Sequence, residues 1–130
     1  MTRGLPPDLD RFLARYIDTV EQLEVLLLLH QGRDEEWTAE RAARALYSQP
    51  GSIARRLASL AAHGFLEPTG AGPAYRYAPR DKELAETVSQ LARTYRERRV
   101  AVITAIASRP MENVRAFSDA FRVRRKTEDE

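Results

Sequence analysis

Arg55 and Arg56 stand side by side in a stretch that also carries Gln49, Ser52 and Ser59. A guanidinium group offers a planar fork of N–H donors that bonds bidentately to guanine O6 and N7, and a glutamine amide does the same for adenine. Serine hydroxyls and the first turn of a helix suit phosphate oxygens. Turned outward together, these groups have the chemistry of a reader of double-stranded DNA.

Other chemistries lack their residues. There is no cysteine, which removes disulfides, zinc–thiolate sites and thiol nucleophiles. His30 and His63 are far apart, and neither has a second ligand at helical spacing, so no metal site is expected. No G-x-S-x-G, P-loop or G-x-G-x-x-G occurs, and Gly70-x-Gly72 belongs to a turn. Neither an enzyme nor a cofactor is expected.

The elements that position the arginines follow from local signals. Thr38 is a good N-cap for a short helix whose Ala42, Ala45 and Leu46 share a face. After a turn of three or four residues, Ser48 is placed as the next N-cap, with Pro50 in the first turn, where its missing N–H is no loss. Ile53, Leu57 and Leu60, with Ala61 beside them, then define one buried stripe. Gln49, Ser52, Arg55, Arg56 and Ser59 are left on the outward faces. Gly64 stands where a helix C-cap glycine belongs, and Phe65 and Leu66 open a strand. Pro68, Gly70, Gly72 and Pro73 reverse the chain, and Ala74 to Ala78 returns as a second strand with Arg76 between two tyrosines. A lone hairpin is marginal, so it must lie against the helices.

The run Ser48-x-Pro50-x-x-Ile53-x-x-x-Leu57-x-x-Leu60, followed by His63-Gly64-Phe65-Leu66 and a hairpin ending in Tyr75-Arg76-Tyr77, resembles bacterial winged-helix transcriptional regulators of the broad MarR, ArsR and PadR kind. The resemblance covers about a third of the chain as motif and identifies the fold rather than a subfamily. It implies a mainly α fold with a small β-hairpin: a winged helix-turn-helix with extra N- and C-terminal helices. In that family the second helix enters the major groove and the hairpin tip meets backbone or minor groove. The resemblance thus assigns DNA contact to residues 49–63 and 66–78, with Ser48, Gln49, Ser52, Arg55, Arg56, Ser59 and Arg76 as the site.

Charge distribution agrees in sign. Residues 1–37 carry four arginines against eight acids, residues 38–80 six against two, and residues 81–130 eleven bases against nine acids, so the positive excess is densest on the middle segment. An apolar fraction of 43% and a charged fraction of 31% are those of an ordinary globular protein. The chain is long enough for a real core. The longest apolar run, Val25 to Leu29, is too short to span a bilayer, and the N-terminus lacks the apolar centre of a signal peptide. A cytoplasmic protein, associated with the nucleoid when on DNA, is expected.

On either side lie apolar helices. Leu9, Phe12, Leu13, Tyr16 and Ile17 form an amphipathic helix within residues 1–18. Asp18 or Thr19 then caps a helix, with Glu21 or Gln22 placed to complete a capping box. That helix is apolar nearly all round from Val20 to Leu29. Trp37 opens a short strand and is expected in the core. Residues 19–80 thus form the central domain. Asp81 caps a long helix with a seam of Leu84, Val88, Leu91, Tyr95, Val102 and Ile106, interrupted by Arg98. The all-round apolar stretch Val100 to Ile106 is expected against the leucine-rich helix. A last amphipathic segment carries Met111, Val114, Phe117 and Phe121, and residues 127–130 form a tail. The surplus of apolar helix surface predicts a homodimer through helices 9–29 and 82–121, with residues 81–126 as the dimerisation region. A cleft between the long helices and the central domain is either an effector site or solid core. The competing function is a winged helix that contacts protein and carries no DNA site.

Overall fold

The computed structural model describes residues 5–70 and 73–108. The order is α1 (Pro7–Tyr16), α2 (Val20–Gln31), β1 (Trp37–Thr38), α3 (Ala39–Leu46), α4 (Pro50–Ala62), β2 (Leu66–Thr69), β3 (Ala74–Tyr77), α5 (Lys82–Glu97) and α6 (Arg99–Ala107). The architecture is mainly helical with a small antiparallel sheet of strand order β1-β3-β2, an arrangement compatible with a winged helix. The expected segment at 111–121 and the tail at 127–130 lie outside the described residues, as does Gly72 of the turn.

Capping chemistry starts three of these helices. Thr19 accepts from Gln22 N for α2, Thr38 from Arg41 N for α3, and Asp81 from Leu84 N for α5. The expected capping box is half formed: Thr19 accepts from Gln22 N, but the buried Gln22 side chain donates to the Tyr16 carbonyl at 3.1 Å instead of turning back to Thr19. That bond ties the end of α1 to the start of α2.

In the hairpin, Leu66 pairs with Tyr77 and Thr69 with Ala74, while Trp37 of β1 pairs with Tyr75. Trp37 is buried as expected, and its indole N–H donates to the Gly32 carbonyl at 3.1 Å. A side chain at residue 32 would meet the indole at 2.7 Å, so the glycine that ends α2 also makes room for the tryptophan.

One core joins all the helices. It is built from Leu9, Phe12, Leu13 and Ile17, from Leu23, Val25, Leu26 and Leu29, from Ile53, Leu57 and Leu60, and from Leu84, Val88, Leu91, Val102 and Ile106, with Phe65 fully enclosed. The stripe expected on α4 is therefore the buried one. On α3 the inward alanines are Ala42 and Ala43. Ala45, expected inward, is exposed because the helix is turned so that its neighbours meet α4.

One expectation about the flanking helices changes. The long helix from Asp81 is two helices, broken at Arg98 with φ −134° and ψ 55°. No proline or glycine dictates the break. It lets α6 swing across α1 and α2 as well as α5, so that Val102 and Ile106 reach the core, and burial outweighs the lost helical continuity. Among the described residues, α1, α2, α5 and α6 bury much of their apolar stripes against one another, while Val20, Leu27, Leu28 and Ala105 are only partly covered. The large apolar side chain left exposed on α6 is Val100, at 76%.

Candidate nucleic-acid interface

Helix α4 starts at Pro50 with Gln49 as its N-cap residue, and Gln49 makes no side-chain cap bond. Ser48, expected to cap, does something else. Its hydroxyl donates to Glu21 in the first turn of α2, as does the hydroxyl of Ser52, and Arg56 Nε donates to the same carboxylate at 3.0 Å. These donors, that of Ser48 above all, hold the Glu21 carboxyl down to about 2 against the desolvation that would raise it. Glu21 is therefore an anion at any ordinary pH, clamped between two hydroxyls and a guanidinium.

This corrects the expected outward face. Arg56 and Glu21 keep only 24% and 26% of their side chains exposed, and Ser48 and Ser52 are half-buried with them. The physical reason is helical pitch: Ser52 and Arg56 are four apart and so share the side of α4 that meets α2, and Ser48, just before the helix, reaches the same carboxylate. Gln49 and Arg55 are exposed as expected, and Ser59 is half-buried. The stretch around Arg55 is small, with Gly51, Ala54 and Ala58 exposed beside it and open space above Gly51.

The turn into α4 is left-handed at Tyr47, with φ 56°, and Ser48 N donates to the Ala43 carbonyl at 2.9 Å to close it. Tyr47 is 97% exposed. Glycine or asparagine is the usual occupant of such a position, so an aromatic side chain there carries local strain. The far end of α4 uses the same closure with a glycine: Phe65 N donates to the Leu60 carbonyl at 3.0 Å and Gly64 N to Ala61 at 3.1 Å, with Gly64 at φ 90°.

Arg76 projects from β3 as an exposed side chain and lies 3.9 Å from Glu36, a loose pair across the sheet edge. Arg44, exposed near the end of α3, and Arg55 make no ion pair among the described residues. Arg41 is taken: it pairs with Glu35, donates to the Glu36 carbonyl at 2.7 Å and lies 4.0 Å over the Trp37 ring. The free cations near α4 are thus Arg44 and Arg55, with Arg76 loosely held.

No family model, curated protein or solved structure matches the chain. The reading of this surface therefore rests on its own geometry.

Three residues of that geometry were not foreseen. Arg44 had a signal, because it lies on the side of α3 opposite the buried alanines. Glu21 had none, since its partners lie 27, 31 and 35 residues away. Nor did Tyr47, where neither glycine nor asparagine marks the left-handed turn. Behind the turn, Leu27 and Leu28 of α2, Leu46 and Tyr47, and Tyr95 and Arg96 of α5 line an open cleft of about 530 Å³, beside the solid core that Val88 and Leu91 form with Leu23, Leu26 and Leu29. Among the described residues no cluster of three or more His, Asp or Glu is placed to hold a metal ion, and no helix is long and apolar enough to cross a membrane.

Proposed function

We propose that this chain is a winged helix-turn-helix, sequence-specific regulator that binds double-stranded DNA as a dimer, laying α4 in the major groove and the β2–β3 hairpin on backbone or minor groove. One observation carries the reading: Arg55 projects from a helix face of small residues, with no acid holding it and Gln49 exposed at the same end. Small side chains let a helix approach base edges closely, and a free guanidinium can then bond guanine O6 and N7, with Gln49 suited to adenine. Arg44 and Arg76 flank the helix as phosphate or minor-groove contacts. In a two-fold dimer the two helices would read half-sites about 34 to 36 Å apart, or multiples of that.

A second reading, in which the same face contacts protein, has its own support. Pro50, Gly51 and Ala54 of α4 join Pro73 and Tyr75 of the hairpin around a cleft of about 280 Å³, which is more apolar than a phosphate-facing surface needs. Binding of a mixed-sequence duplex at two salt concentrations separates the two. A steep loss of affinity with salt supports phosphate neutralisation, and absence of binding at low salt supports protein contact. Selection of bound fragments from random duplexes then yields the operator, and a size measurement in solution tests the dimer.

A further inference from the structure

The three donors around Glu21 are the set a phosphate would use. Ser48 and Ser52 hydroxyls and Arg56 Nε converge on the two oxygens of one carboxylate, at the first turns of a 13-residue helix. A carboxylate and a phosphate accept the same charge-assisted bonds, and a helix start favours either anion. Gln49 makes no side-chain cap bond to the first-turn amides of α4 at the same place. The site is not sealed, because Arg56 and Glu21 each keep about a quarter of their side chains exposed. Glu21 sits in the first turn of α2 with 26% of its side chain exposed.

We propose that Ser48, Ser52 and Arg56 form an oxyanion-binding cradle that Glu21 fills in the free protein and that a backbone phosphate of DNA takes over on binding. The exchange rests on the DNA reading above; the cradle itself does not. Glu21 is then an internal competitor for phosphate. It keeps the start of α4 neutral until a polyanion displaces it, and the protein's affinity for DNA is lower than its donors alone would give.

Two measurements test this, each on the full chain. In the first, without DNA, inorganic phosphate is titrated into the wild type and into Glu21→Ala, and the Ser52 amide and Arg56 Nε–H resonances are followed at constant ionic strength. Saturable shifts in Glu21→Ala, absent from the wild type, support the cradle. Their absence from a folded Glu21→Ala overturns it. In the second, Glu21→Gln and wild type bind the same duplex across a salt series. Tighter binding by Glu21→Gln, with a log–log salt slope steeper by about one, supports the exchange. Weaker or unchanged binding with an unchanged slope overturns the exchange while leaving the DNA reading standing. If neither protein binds duplex at low salt, the exchange falls together with the DNA reading, and the phosphate titration still decides the cradle.

Discussion

Arg56 of α4 donates from Nε to Glu21 of α2 at 3.0 Å, while its neighbour Arg55 makes no ion pair among the described residues. Two residues identical in chemistry and adjacent in sequence are thereby given different work, and substitution should separate them. Arg55→Ala removes only an outward cation, so it should weaken duplex binding and leave the melting temperature within a degree or so. Arg56→Ala leaves a partly buried carboxylate with one donor fewer and should cost about 1 to 2 kcal/mol of stability. Thermal unfolding of both variants, beside anisotropy with a duplex, checks this. Equal melting temperatures would mean that the bond to Glu21 contributes nothing in solution.

Stability at acid pH follows from the same carboxylate. Glu21 is held down to about 2 in the folded chain against an ordinary value of 4.5, so between those values the unfolded state takes up the proton first. Its contribution is complete above the ordinary carboxylate range, declines as pH falls, and is gone below about 2. The wild type should exceed Glu21→Gln in unfolding free energy by on the order of 2 kcal/mol near neutrality, and the gap should close towards the acid end. Urea unfolding of the pair at several pH values measures it. A gap that does not change with pH would exclude Glu21 as its source.

How much of this was legible beforehand depends on the range of the interaction. Ile53, Leu57 and Leu60 announce their buried stripe because helical periodicity is local, and Thr38, Asp81 and Gly64 mark helix ends through bonds to residues close in sequence. The same periodicity left Arg55 and Arg56 looking equivalent. What distinguishes them is α2 lying against one side of α4, a contact between residues more than thirty apart that no local pattern encodes. Arg98 fails for a like reason: nothing in its neighbourhood breaks a helix, and the break serves burial of Val102 and Ile106 against helices from the other end of the chain. Ser48 is an instructive case, since it stands one residue before the N-cap Gln49 and its hydroxyl donates to Glu21 across to α2, a partner 27 residues away.

Two glycines should respond in opposite directions. Gly64 holds φ 90°, and a Cβ there would lie 2.7 Å from Arg80 Nη1, which donates to the His63 carbonyl at 2.6 Å. Gly64→Ala should therefore destabilise by about 1 to 3 kcal/mol through backbone strain and loss of that closure. Gly51 lies inside α4 with open space where a Cβ would go, so Gly51→Ala should stabilise by up to about 1 kcal/mol. Chemical denaturation of both compares the sign directly, and a tolerated Gly64→Ala would show that α4 does not end in the left-handed turn.

The orientation of α4 is the premise that every functional statement shares, and Leu57 tests it most sharply. Leu57 is 1% exposed and sits between Ile53 and Leu60 on the stripe that enters the core, while Arg55 and Ala58 lie on exposed positions to either side. Truncation to alanine removes buried methyl groups and leaves a cavity that the surrounding helices fill only in part, which costs about 2 to 5 kcal/mol. For a chain of this size that lowers the melting temperature by several degrees or more. Because α3 and the hairpin both rest on α4, the loss should be cooperative, seen equally by far-ultraviolet circular dichroism and by Trp37 fluorescence. Duplex binding measured well below the transition should change little, since the outward side chains are untouched. A Leu57→Ala protein with wild-type stability and impaired duplex binding would reverse the assignment of the two faces, and Arg55 would then have to be the inward residue.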